Sequence, residues 1–308
     1  MSELVEFWEK PSPGKCMIAG WHQWADAGTV SSGLPQYLIE YTGARQIGEM
    51  LPGDYYLFQI PGTHHLLRPI VKLNEGYREG LEKKGNEFYL AGSQDQEFVV
   101  FWGEEPHRNE TLYAEAFFDA AEALGVKRVA ALAGVYGAVP YDKDRSISCV
   151  YSLPWMKDEL SRYAVRFSNY DGGATISMYL AARAEARGIE FFRFCSLVPS
   201  YDLATATVPV QSVAVDDDYK AWYDLMVRLD HMFKLDFDLS DLEAKSGDLV
   251  SEWHDKIEHI TRTMPQLEVG AYMEQVYQDF TERSFVPLSD VWEQGLRDLF
   301  DDSDLTEA

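Results

Sequence analysis

Basic residues are scarce in this sequence: 27 Lys and Arg stand against 51 Asp and Glu over 308 residues, a formal charge of −24. Phosphate backbones are gripped by clustered Lys and Arg, and this chain offers no such cluster, which argues against a nucleic-acid partner. Long apolar runs are missing as well. No stretch approaches the ~18 consecutive apolar residues of a membrane-crossing helix, so no membrane association is expected. Cysteine is rare. Cys16, Cys149 and Cys195 are too few and too scattered for a disulfide framework or a zinc knuckle. Each lies in an apolar run and reads as a small buried hydrophobe rather than a reactive thiol. The segment Met1-Ser-Glu-Leu-Val-Glu6 has neither the basic nor the apolar region of a signal peptide, so a cytoplasmic address is expected. With 46% hydrophobic and 25% charged residues, what remains is an acidic globular chain of one large or two modest domains.

Reaction signatures are also absent. There is no G-x-x-x-x-G-K-[ST] phosphate loop, no G-x-S-x-G nucleophile elbow and no H-E-x-x-H zinc helix. No G-x-G-x-x-G follows the first strand-like run, and no cofactor is expected. His64 and His65 are neighbours on an expected strand, where successive side chains point to opposite faces and cannot share one ion. His254 and His259, five apart on an expected helix, fall on different faces. No metal site is expected, and no catalytic residue can be named.

The excess charge is uneven. From Asp216 onward, 24 acidic residues face only 8 basic ones, and the hydrophobic period changes at the same place. The chain therefore divides into an α/β core (1–215), a helical region (216–300) and an acidic tail (301–308) expected to be disordered. In the core, short apolar runs alternate with helical patterns. Cys16–Trp21, Glu97–Trp102, Val129–Val135, Ile147–Tyr151 and Phe191–Val198 read as strands. Four more are expected over 45–50, 55–60, 64–73 and 86–91. Helices are expected over Asp26–Tyr41 with Asp26 as cap, Asn109–Leu124, Pro154–Ala164 and Thr175–Arg187. Such alternation implies crossover connections and a largely parallel sheet covered on both faces. The strand cluster over 45–91 suggests a mixed part.

Beyond Val215, apolar stripes recur at helical spacing. Tyr219, Trp222, Met226, Leu229 and Phe233 form one. Leu242, Leu249, Trp253, Ile257, Ile260 and Met264 form the next, with Ser240-Asp-Leu-Glu243 as its expected capping box. A third carries Val269, Tyr272, Met273, Val276 and Phe280, and a short helix is expected over Ser289–Phe300.

Ligands of open parallel sheets favour the crevice beyond the strand carboxyl ends. Three loops are candidates for lining it. The first is Trp21-His22-Gln-Trp24-Ala-Asp26-Ala-Gly28, whose tryptophans could stack on a ring and whose His22 could move a proton near neutral pH. The second is Gly134-Val-Tyr136-Gly137, and the third Tyr170-Asp-Gly172-Gly173. A purely structural reading stands beside this one: Asp26 caps a helix, the glycines allow close packing, and the tryptophans fill a core or subunit interface.

Together the motifs resemble those of the proteasome assembly chaperone 2 family, over about residues 15–285. Trp24-Ala-Asp26-Ala-Gly28 resembles its Gly-Trp-x-Asp-Ala-Gly segment, and Glu105-Pro106 after Trp102-Gly103 its Gly-Pro-Glu-Pro turn. Ala131-Leu-Ala-Gly134-Val with Val139-Pro140 is similar to its Leu-Gly-Gly loop and following proline. Tyr170-Asp-Gly172 with Ile176 is similar to its Tyr-x-Gly-Pro-x-Gly-Ile helix start, and Val198-Pro-Ser200-Tyr201 to its Val-Pro-His-Tyr. The run Leu235-Asp-Phe-Asp-Leu-Ser-Asp-Leu242 resembles the helical extension of a bacterial branch. Gln23, Ala25, Tyr141-Asp142 and Ser200 depart from the family pattern, and two of these replace expected histidines. The resemblance implies a three-layer α/β/α sandwich with a mostly parallel mixed sheet, similar to nucleoside phosphorylases, plus the helical appendage, and it implies homo-oligomers. Family relatives act in proteasome assembly or binding, several through a C-terminal hydrophobic-Tyr-x tail. This sequence ends Leu305-Thr-Glu-Ala308, so docking to a proteasome core by that route is not expected.

Two functions follow as expectations. The first is a non-enzymatic, chaperone-like or scaffold protein that self-associates and binds protein partners. The alternative is a binder of, or enzyme on, a small nucleoside- or phosphate-type molecule at the strand-end crevice.

Overall fold

The computed structural model describes residues 4–51, 54–57, 70–82, 85–92, 96–203 and 212–287. In chain order the elements are β1 (Val5–Phe7), β2 (Cys16–His22), α1 (Gly33–Thr42), β3 (Arg45–Met50), β4 (Ile70–Asn74), β5 (Tyr77–Glu82), β6 (Glu87–Ala91), β7 (Phe98–Glu104) and α2 (Glu110–Ala123). They continue with β8 (Arg128–Gly137), β9 (Ile147–Tyr151), α3 (Met156–Leu160), β10 (Arg166–Phe167), α4 (Ile176–Arg187), β11 (Glu190–Tyr201), β12 (Val213–Ala214), α5 (Tyr219–Phe233), α6 (Ser240–Thr263) and α7 (Val269–Asp279).

One sheet runs through the molecule in the order β1-β3-β6-β7-β2-β8-β11-β9-β10, with β12 added on β11. Its centre is parallel: β7, β2, β8 and β11 all run the same way. The flanks turn antiparallel where β6 meets β7 and where β9 meets β11. Strand alternation sends neighbouring side chains into two separate cores. Ile18, Ala130, Leu132, Phe192 and Phe194 pack toward α1, α3 and α5, whereas Met17, Ala19, Trp21, Val129, Ala131 and Phe191 pack toward α2 and α4. The expected α/β sandwich with a mixed, centrally parallel sheet is present.

The helical region is part of this sandwich. Leu225, Met226 and Leu229 of α5, Leu242 and Trp253 of α6 and Met273 of α7 belong to the same buried cluster as the sheet residues. Their apolar stripes therefore face inward, as their spacing of threes and fours requires.

Several expectations are corrected. The helix after Asp26 begins only at Gly33, because the chain first turns through Gly28, whose φ of 64° breaks the helical path. Asp26 still serves that start, accepting from the Ser31 and Ser32 amides at 2.8 and 3.0 Å. The capping box at Ser240 does not form. Asp238 instead accepts from the Ser240 amide at 3.0 Å, and the Ser240 hydroxyl makes no capping bond. The strand expected over 55–60 is a turn at Tyr55, which is wholly buried and whose ring packs edge-on against Tyr113. Residues 58–60 lie outside the described residues, as do His64, His65 and the helix expected over Ser289–Phe300. Of the strand expected over 64–73, the described part is β4, which pairs with β5 in a separate two-stranded hairpin.

Candidate functional site

A cleft of about 380 Å³ opens at the carboxyl ends of β2 and β8 and reaches down to β9 and β11. Its position follows from the sheet. Where parallel strands diverge, their following loops separate and leave a crevice. Here the loop after β2 crosses directly over β8: the Gly134 amide donates to the Ala25 carbonyl at 3.0 Å. A Cβ at Gly134 would run into the Ala27 carbonyl oxygen, so only glycine permits the crossing.

Two polar side chains fix the walls. Glu105 accepts from the Trp24 amide at 2.9 Å and from the Ile176 amide at 2.7 Å, joining the loop after β2 to the start of α4. Gln23 donates to the Leu132 carbonyl at 3.0 Å and to Ser31 Oγ at 2.6 Å, while the Ser177 hydroxyl donates to it at 3.2 Å. At α4 itself the Thr175 side chain caps by accepting from the Met178 amide.

The expected crevice residues separate into two groups. Trp24, Gly134, Tyr136 and Tyr170 line the cleft, and the three aromatic rings are 74%, 52% and 54% exposed at its mouth. The others lie elsewhere. Trp21 is fully buried and donates to Tyr113 Oη at 2.9 Å, so it belongs to the core and not to the crevice. His22 contacts Glu104 at 3.0 Å and borders a different groove of about 650 Å³. Asp26 is engaged with Ser31 and Ser32, and burial holds its carboxyl above the ordinary range. Gly28 packs against Val198 and Asp218. Gly172 sits beside the Tyr170 hydroxyl. The Pro140 carbonyl accepts from Arg145 at 3.2 Å. Ser200 pairs with Ala214 at the end of β11. Tyr201 is buried, donating to the Val139 carbonyl at 2.8 Å.

Sequence reasoning missed the inner lining. Ser148 of β9, Ser168 after β10 and Arg193 and Cys195 of β11 complete the cleft. A signal was present, since Arg193 stands alone among Phe191, Phe192, Phe194 and Cys195 on a strand buried on both faces, which forces its charge inward. Burial pushes Cys195 up, against the opposing pull of Arg193, and pushes Cys149 up to about 12, so both stay protonated at neutral pH. Among the described residues no group of three or more His, Cys, Asp or Glu is placed to hold a metal ion. No described helix is long and apolar enough to cross a membrane.

The PAC2 family model matches residues 21–256, a span running from the end of β2 into α6. The chain belongs to the PAC2 family. Its fold is similar to that of a PAC2 family protein from Streptomyces avermitilis, with a TM-score of 0.67 and 21% identity, covering 84% of this chain and 99% of that one. It is also similar to a proteasome-assembly chaperone homologue of Mycobacterium tuberculosis, with a TM-score of 0.66 and 20% identity over 81% and 95% of the two chains. A protein of unknown function from Corynebacterium glutamicum superposes with a TM-score of 0.72 at 15% identity, over 90% and 96%. No curated protein sequence matches this PAC2 chain.

Proposed function

We propose that this PAC2 chain is a chaperone-like assembly protein of the cytoplasm that works as a homo-oligomer and binds protein partners. Family membership supports the chaperone-like part, as does the fold shared with the mycobacterial proteasome-assembly chaperone homologue.

The observation that carries self-association is the β4–β5 hairpin. Among the described residues neither strand pairs with the main sheet, and every residue from Val71 to Glu79 is exposed. Val71, Leu73, Tyr77 and Leu81 are 49%, 61%, 78% and 43% exposed. A lone two-stranded hairpin is marginal in water, and its open edges invite a further strand. A second copy of this chain suits it. Lys72 and Arg78 stand there beside Glu75, Glu79 and Glu82, so two hairpins related by a two-fold axis present both signs of charge to each other. Across the rest of so acidic a surface, like charges would oppose contact.

Size-exclusion chromatography with light scattering tests this. The full chain at micromolar concentration is expected to run as a dimer or larger, and Leu73→Lys with Tyr77→Lys to run as a monomer with an unchanged circular dichroism spectrum. A wild-type chain that is strictly monomeric would overturn the proposal.

A further inference from the structure

The strand-end cleft carries one charge. Its lining includes Arg193 and no carboxylate, although the chain holds 51 acidic residues. Arg193 is only 6% exposed, and its Nε is buried without a hydrogen-bond partner. Two other guanidinium groups are as deeply buried: Arg145 is closed by a carboxylate and by three carbonyls, and Arg228 donates to the Tyr163 and Asp224 carbonyls away from this cleft. A buried charge without a counter-charge is costly, and proteins seldom retain one unless something neutralises it. Around Arg193 that something cannot be any described carboxylate, since no ion pair joins it to one.

The rest of the cleft is built in two zones. Ser148 and Ser168 also line the cleft, the Ser148 hydroxyl donating to the Cys195 carbonyl at 3.4 Å. The Ser168 oxygen accepts from the Tyr170 amide at 3.2 Å, which leaves its proton available to donate. At the mouth stand Trp24, Tyr136 and Tyr170, with the Trp24 ring 3.5 Å from where a Cβ on Gly173 would lie. Polar groups at the closed end and aromatic faces at the open end fix the orientation of an occupant. Volumes of this size are those of small-molecule sites.

We infer that this cleft binds a small organic anion, a planar ring bearing a carboxylate or a phosphate, with the anionic group received by Arg193 and the ring held among Trp24, Tyr136 and Tyr170. The planar guanidinium fork suits both oxyanions, and aromatic faces stack on planar rings. The site is independent of self-association, because none of its residues lies on the β4–β5 hairpin.

Isothermal titration calorimetry on the full chain tests the inference with two pairs of probes. Adenosine monophosphate is compared with adenosine, and indole-3-acetate with tryptamine. At least one anionic probe is expected to bind while its uncharged or cationic counterpart does not, and the arm that responds tells phosphate from carboxylate. Arg193→Met keeps the apolar stem and removes the charge. It is expected to weaken the responding probe by roughly ten- to hundredfold, as loss of a charge-assisted hydrogen bond does, with Arg193→Lys falling between. Should Arg193→Met fail to fold, the wild-type melting temperature decides instead: the anionic probe must raise it and its counterpart must not. Binding of neither anion at millimolar concentration, equal binding of the paired probes, or undiminished binding by Arg193→Met would each overturn the inference.

Discussion

Arg145 and Asp218 form a bidentate ion pair that is almost entirely sealed from water, with Nε to Oδ2 at 2.8 Å and Nη2 to Oδ1 at 3.0 Å. The two residues are 73 positions apart and clamp the loop before β9 to the start of α5. Asp218 also caps that helix, accepting from the Ala221 amide at 3.0 Å. Its own amide donates to the Gly28 carbonyl at 3.0 Å. Asp218 thus ties the start of α5 to two loops, its carboxylate to the one before β9 and its backbone amide to the one that follows β2.

Replacing Asp218 by Ala leaves a buried guanidinium without its partner and removes a helix cap. The expected loss is about 3–5 kcal/mol of unfolding free energy, most of it the penalty on the stranded arginine. A control on the exposed Glu258–Arg262 pair, 3.6 Å apart on α6, should move stability by no more than about 0.5 kcal/mol. Urea unfolding of both variants checks the contrast. Equal effects would mean that the Arg145 pair contributes no more than a surface contact.

The central strands were legible because parallel strands buried on both faces read as unbroken apolar runs, as Cys16–Trp21 and Val129–Val135 do. The stripes of α5, α6 and α7 were legible for the complementary reason, a helical period. What could not be read is pairing across distance, such as Arg145 with Asp218, since neither residue's neighbours encode the other. The β4–β5 hairpin was hidden differently. Its turn is Glu75-Gly76, with φ of 47° and 84°; Asn74-Glu-Gly76 carries that turn signal, but the strand expected from the apolar pattern ends at residue 73 with no partner run expected beyond it. In the cleft, the aromatic mouth was visible from loop motifs. Arg193 was not, because a single charge in an apolar strand looks like an interruption until its burial is known.

The tryptophans separate by the same logic. Trp21 continues the inward face of Met17 and Ala19, packs its ring against Phe101 and Phe117 and is fully buried. Trp24 lies beyond the strand and is 74% exposed. Trp253 of α6 is 4% exposed, with its ring 5.9 Å from that of Tyr201. Alanine at Trp21 or Trp253 is expected to cost about 3–5 kcal/mol, and alanine at Trp24 to stay within about 0.5 kcal/mol. Thermal melts rank the three. A Trp253 variant melting with the wild type would place that stripe outside the packed core.

Asp26 supplies a test by pH. Burial holds its carboxyl above the ordinary value of 3.8, and the bonds from Ser32 and Ser31 only partly oppose this. An acid whose pKa is raised by folding favours the native state while it is protonated. That contribution is complete below the unfolded value of 3.8 and is lost as pH rises through the higher folded value. Asn at this position keeps an oxygen to accept from the Ser31 and Ser32 amides and an amide to donate to the Ser32 hydroxyl, but it does not titrate. The stability of Asp26→Asn relative to wild type should therefore improve as pH rises from about 4 to about 7. Urea unfolding at both values measures it. If the difference between the two proteins is the same at each pH, burial does not govern this carboxylate, and its bonds to the two serines offset the desolvation in full.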